Sequence, residues 1–282
     1  MVRDFLVVVG AVLLSTLSLI GIVSTARLFG VDPRELTASH FVMNGKNVVV
    51  ALMVLIVPSV IIVIANGLLK CPFPGCVGLL TFDGKKLSLG LLVGAAVLSS
   101  SYLVRGMLWG WPSVSAAVPD HVDSWTLACY VAWIVLTLIL NSISEELVFR
   151  AFPLMLAKQY QFSQLLSILM TSLLFAGIHF ITRAPSLSDF TYLVLYGAVF
   201  CLFFVMTDSL WFVIGVHTGS NALSMLFAGN WKVGGFLKIQ WPSETPSQSY
   251  TLSAVLALLI LGLCFYQRID AIRPKAVKFL RS

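Results

Sequence analysis

The chain has very little charge. Only 11% of its 282 residues are Asp, Glu, Lys or Arg, 59% are hydrophobic, and the mean hydropathy is +0.96. Soluble domains carry about 25% charged residues. A soluble globular protein is therefore excluded, and a polytopic membrane protein is implied. No folded basic domain is present either, so the net charge of +6 does not point to nucleic acid. Five of the 18 basic residues crowd the C-terminal tail instead (Arg268, Arg273, Lys275, Lys278 and Arg281), which reads as a cytoplasmic segment touching anionic lipid. Internal repeats and low-complexity segments are missing. Cysteine is sparse and unpatterned. Cys129, Cys201 and Cys264 fall in apolar runs, and Cys71 and Cys76 have no second pair nearby to complete four zinc ligands. A cleavable signal peptide is not favoured. The run 5–24 exceeds an h-region of about 7–15 residues, and Ser24-Thr25-Ala26 is a weak cleavage site.

What the chain does have is apolar runs. A helical span needs about 20 mostly apolar residues. Eight stretches qualify: 5–24, 48–69, 87–104, 125–157, 163–182, 190–206, 210–227 and 251–267. They imply an all-α, polytopic membrane helix bundle of about eight transmembrane helices. Its parts are N-terminal transmembrane helices (1–124), a segment holding the candidate chemistry (125–230), and a last transmembrane helix with the basic tail (231–282). Pro153 is expected to kink or end the fourth span. Eight spans put both termini on one side. If that side is the cytoplasm, inner segments hold 11 of the 18 Lys and Arg residues and outer segments hold 7, which favours both ends inside.

Glu145 and Glu146 stand adjacent inside the fourth run. One ionised group in hydrocarbon costs about 2.5–3.5 kcal/mol on insertion scales, so such a cluster is a functional-site hypothesis by default. Further polar residues are Arg150, His179, His217 and Asn221. Asp208 reads as a turn residue, and His40 and His121 fall in loops without a role. Depth ties the first set together. The fourth and fifth spans turn near 161, which puts Glu145 and His179 each about 24–27 Å from the turn. Spans six and seven turn near 208 on the same side, with His217 about 14 Å and Asn221 about 20 Å away. Helical phase sorts the acids. Glu146 and Arg150 are i,i+4 and share a face, whereas Glu145 and Arg150 are about 140° apart. Arg150 is thus expected to hold Glu146 and leave Glu145 free to act. A carboxylate and an imidazole on opposing helices can activate water, and His and Asn donors suit a developing oxyanion. Base, water and oxyanion donors make a peptide hydrolase.

Blander roles exist for each residue singly. A lone intramembrane His is often a satisfied core residue, and an Asn can hydrogen-bond between helices. Glu146 and Arg150 could be a structural ion pair, which would leave Glu145 without a partner.

The three patterns, Glu145-Glu146-x-x-x-Arg150, Phe175-x-x-x-His179 and His217-x-x-x-Asn221, resemble the signatures of the CPBP intramembrane protease family. That family includes the type II CAAX prenyl endopeptidases and bacteriocin-processing and immunity proteins. The resemblance covers about 125–230. It implies that Glu145 is the general base acting with His179 on water, that His217 and Asn221 stabilise the oxyanion, and that Glu146 and Arg150 support them. It also implies an eight-helix bundle with a cavity. Family members often have Gly after the motif arginine, where this chain has Ala151.

No cofactor is expected. Zinc stays open as the alternative, since two His and a Glu can hold it, but the H-E-x-x-H helix motif is missing. The expected partners are a peptide or membrane-protein substrate and the lipid bilayer, with no nucleic acid and no stated oligomer. The compact loops suggest a bacterial plasma membrane. The competing functions are a non-catalytic scaffold or immunity protein on the same fold and, last, a proton-coupled transporter, for which paired broken helices and half-repeat symmetry are missing.

Overall fold

The computed structural model describes residues 81–118, 122–182, 186–227 and 235–242, with isolated helical positions within 10–22, 49–65 and 251–261. The expected spans 5–24, 48–69 and 251–267 are described only in part, and Cys71, Cys76, Cys264, His40, His121 and the basic tail lie outside the described residues. Six helices follow one another among the described residues: α1 (Gly84–Trp109), α2 (Ser124–Glu146), α3 (Phe152–Gln159), α4 (Gln164–Thr182), α5 (Leu187–Thr207) and α6 (Leu210–Leu226). A single π turn, Leu147–Ala151, joins α2 to α3. Two four-residue strands, β1 (Ser113–Ala116) and β2 (Leu237–Gln240), pair antiparallel with Ser113 opposite Gln240. Among the described residues this ribbon is the one strand pairing, in segments whose sequence suggests only connectors.

The expected count of about eight transmembrane helices is corrected. Among the described residues three helices are long and apolar enough to cross a membrane: Gly84–Trp109, Ser124–Lys158 and Leu187–Thr207. The stretches 163–182 and 210–227 do form helices, but short ones. The apolar part of α4 is Gln164–His179. Helix α6 has 17 residues, about 26 Å of helix against a hydrocarbon core of about 30 Å. Every residue of α6 from Phe212 to Ser220 is buried. Its apolarity serves packing inside the protein, and a hydropathy window cannot distinguish a helix wrapped by protein from one wrapped by lipid. The molecule is a membrane-associated, mostly helical protein with a few apolar spans.

The most extensive helix pair is α1 on α6. Gly90-x-x-x-Gly94 on α1 meets Gly215-x-x-x-Gly219 on α6, and the backbones touch. A Cβ on Gly90 would strike the Phe212 carbonyl oxygen, on Gly94 that of Val216, on Gly215 that of Leu87 and on Gly219 that of Leu91. Small residues at this spacing allow such an approach. Ser220 Oγ then donates across the crossing to the Gly94 carbonyl at 3.0 Å. His217 lies between the two α6 glycines, so this crossing fixes its position. Gly94→Ala is expected to cost about 1–3 kcal/mol through overpacking. Gly177→Ala on α4 meets nothing within 4 Å and is expected to gain about 0.5–1 kcal/mol from helix propensity. Thermal unfolding of both variants in detergent checks the contrast, and equal midpoints would contradict it.

Asp123 caps α2, accepting from the Thr126 amide at 2.8 Å and the Thr126 hydroxyl at 2.7 Å. These bonds hold its carboxyl below the usual aspartate range. The cap is therefore at full strength above the ordinary aspartate pKa and weakens as pH falls through the lowered one. At the other end of α2, Pro153 does not stop the helix. It sits in the first turn of α3, and its missing N–H deprives the preceding turn of a bond. The chain widens there into the π turn, where the Phe152 amide reaches the Leu147 carbonyl. Single π turns within α-helices are frequent at functional sites. This one directly follows the two glutamates and carries Arg150.

Two turns share one end of the molecule. Gln161, with φ 56°, turns α3 into α4, and Asp208, with φ 49°, closes α5. Lys158 Nζ lies 4.0 Å from Asp208 Oδ1 and links them. Ser209 then caps α6 through the Phe212 amide. Helices α2–α3, α4 and α6 are thus measured from a common end.

Candidate active site

Glu146 anchors the site from complete burial. Its Oε1 accepts from Arg150 Nη1 at 3.0 Å and from His217 Nδ1 at 2.7 Å. An ionised carboxylate only accepts, so the Nδ1 proton of His217 belongs to this bond. The other ring nitrogen, Nε2, then faces Glu145, 3.7 Å from its Oε2. Glu145 Oε1 accepts from Asn141 Nδ2 at 2.9 Å. The Glu145 side chain is 18% exposed and that of His217 6%, so the pair is enclosed, with Glu145 the more accessible member.

Aromatic rings wall the cluster. The Arg150 guanidinium carbon stands 4.1 Å from the Phe175 ring centre and 5.2 Å from that of Phe200. Such desolvated cation–π contacts can be worth about 2 kcal/mol. The same two rings flank His217, with centres 6.3 and 5.2 Å away. They pin both the imidazole and the guanidinium that share Glu146.

His179 comes from α4, one turn after Phe175. Its Nδ1 is 2.8 Å from the Phe175 carbonyl oxygen. A carbonyl cannot donate, so Nδ1 carries the proton there. His217, His179 and Arg150 all act electrostatically on the Glu145 carboxylate. Asn221 is half-buried one turn beyond His217 on α6, and the contacts among the described residues do not join it to the cluster.

The spacing-based pairing of Glu146 with Arg150 is present. Glu145, however, has partners that the spacing argument did not assign, namely Asn141 and His217. The two motif glutamates thus share one imidazole, a contact that the spacing does not predict. Asn141 lies one helical turn before Glu145, the same interval that singled out the other pairs, and could have been found by it. The Phe200 wall and the glycine crossing carried no comparable signal.

Among the described residues, no group of three or more His, Cys, Asp or Glu side chains is placed to hold a metal ion. Arg150 Nη1 and the Nδ1 proton of His217 both go to Glu146 Oε1.

Residues 127–223 match the family described as Type II CAAX prenyl endopeptidase Rce1-like. Over that segment the chain belongs to the Rce1-like CAAX-protease (CPBP) family. The Rce1-like segment is about a third of the chain and runs from the first turn of α2 into α6. It contains Glu145, Glu146, Arg150, His179, His217 and Asn221. No curated protein and no solved structure matches. A CAAX-protease-like core with a buried His217–Glu145–Glu146 cluster is the equipment of a Glu/His hydrolase, an endopeptidase rather than an inert scaffold.

Proposed function

We propose that the protein is an intramembrane endopeptidase in which Glu145 activates water against a peptide bond. The observation that carries this reading is the 3.7 Å approach of His217 Nε2 to Glu145 Oε2. It is longer than a direct hydrogen bond, and a water beside the two groups can be held by both. In the proposed reaction Glu145 Oε2 takes a proton from water as the oxygen attacks the scissile carbonyl carbon. The carbonyl π pair moves onto its oxygen, where Asn221 donates together with His217, the latter through a second proton on Nε2 in its imidazolium form. Collapse breaks the C–N bond, and the proton held by Glu145 passes to the leaving amine. His179 stands beside the carboxylate and helps orient the water. Glu146 and Arg150 hold His217 in place.

The substrate is a peptide or membrane protein reaching the site from the bilayer. The chain is a multi-pass protein of a bacterial plasma membrane with both termini cytoplasmic. Supporting this placement are the three apolar helices, the basic tail and the distribution of Lys and Arg. The direct test reconstitutes the protein in phospholipid vesicles and offers quenched peptides ending in a C-terminal CAAX-type tetrapeptide, with and without a prenyl group. Cleavage of either supports the reading, and preference for the prenylated form assigns the family's eukaryotic substrate class. Lack of cleavage of both, together with no Glu145-dependent peptide ends in cells, would sink it.

A further inference from the structure

Glu145 has two oxygens in different situations. Oε1 accepts from Asn141 Nδ2 at 2.9 Å. Oε2 is buried and makes no hydrogen bond among the described residues, and it is the oxygen facing His217 Nε2. A carboxylate on a side chain with three rotatable bonds does not hold such an arrangement unaided. Glu146 cannot supply the restraint, because its Oε1 is committed to Arg150 and His217. Arg150 belongs to Glu146. His217 touches Glu145 only at 3.7 Å. The direct hydrogen bond that Glu145 accepts comes from the amide one helical turn earlier on α2, on the same face at i,i+4 spacing.

We infer that Asn141 is a positioning residue that anchors Glu145 through Oε1 and thereby selects Oε2 as the oxygen that takes the proton from water. The inference rests on the proposed role of Glu145 as general base. An amide suits this position for a chemical reason. It donates a hydrogen bond to the carboxylate without adding a charge to the pocket. A lysine would add a competing cation, an aspartate would repel Glu145, and a leucine would fill the volume without a donor. Asn141 is half-buried, so its bond is partly shielded from water.

The effect belongs to turnover rather than to substrate binding, because Asn141 acts on the base and not on the peptide. Asn141→Leu is expected to lower kcat about 10- to 100-fold, the range for losing a hydrogen bond to a charged group, with KM changing less than about threefold. Asn141→Asp keeps the size but reverses the interaction and is expected to fall at least as far. Asn141→Gln, which keeps the donor, is expected to recover much of the loss.

The experiment first compares membrane peptide termini from cells carrying the wild type and Glu145→Gln. A quenched peptide spanning a Glu145-dependent junction then serves as the probe for the purified Asn141 variants in vesicles. The expected result is a fall in kcat for Leu and Asp with recovery by Gln, at matched thermal midpoints. If Glu145-dependent cleavage exists but Asn141→Leu keeps wild-type kcat, the positioning role is overturned and the base assignment stands. If the Leu, Asp and Gln variants lose activity only in proportion to folded protein, Asn141 is a packing residue and the inference is likewise overturned. If no Glu145-dependent cleavage exists, the proteolytic reading falls and takes the inference with it.

Discussion

Glu145→Gln is expected to lower turnover by about 10²- to 10⁴-fold, the usual contribution of a positioned general base, with little change in KM. The amide has the carboxylate's size. It can still accept from Asn141, and it leaves the buried Glu146–Arg150–His217 linkage untouched. Folding and expression should therefore be preserved, which separates lost chemistry from lost structure. Glu145→Asp retains the base but withdraws it by one methylene from His217 and from the site of the water. It is expected to be impaired but measurable. Single-turnover cleavage of a quenched peptide by purified variants reads both effects. Wild-type turnover from Glu145→Gln would remove Glu145 from the reaction.

The second large effect concerns stability. Arg150→Met would leave Glu146 buried with its guanidinium partner gone. Breaking a buried pair by removing one member costs about 3–5 kcal/mol. The side chains of both residues are essentially inaccessible, at 1% and 0% exposure, so water cannot compensate. The double variant Arg150→Met, Glu146→Gln removes the stranded charge and should regain much of that stability. It should regain activity only in part, because His217 Nδ1 then donates to a neutral amide oxygen in place of a carboxylate. Unfolding midpoints in detergent and turnover, measured on the two single variants and the double, would separate these outcomes. An Arg150→Met protein as stable as the wild type would show that the pair is not structurally important. Full recovery of activity along with stability would show that the charge of Glu146 has no part in holding His217.

Residues that break an apolar pattern were the most legible part of the chain. Glu145, Glu146, Arg150, His179 and His217 stand out because an uncompensated ionisable group in hydrocarbon is costly, and local i,i+4 spacing paired Glu146 with Arg150. Contacts between helices were less legible. Spacing gives depth along a helix but not the rotation of one helix about another, so it sets Glu145 level with His179 without revealing the approach of His217 Nε2 to the same carboxylate. The transmembrane count failed for a related reason. Helix α6 is apolar because protein surrounds it, and composition reads that burial as lipid. The glycine pairs at 90, 94, 215 and 219 were visible as letters. Their meaning emerges only when α1 and α6 meet and each missing Cβ corresponds to a neighbour's carbonyl. The β1–β2 ribbon is four residues long, too short for an alternating pattern to stand out from a connector.

Comparing membrane peptide termini by mass spectrometry, in cells carrying the wild type or Glu145→Gln at equal protein levels, would examine proteolysis without assuming a substrate. A Glu145-based endopeptidase should produce new N-termini that vanish in the variant, and their sequences would name the substrate. Identical termini in both strains across several growth conditions would contradict the proteolytic mechanism.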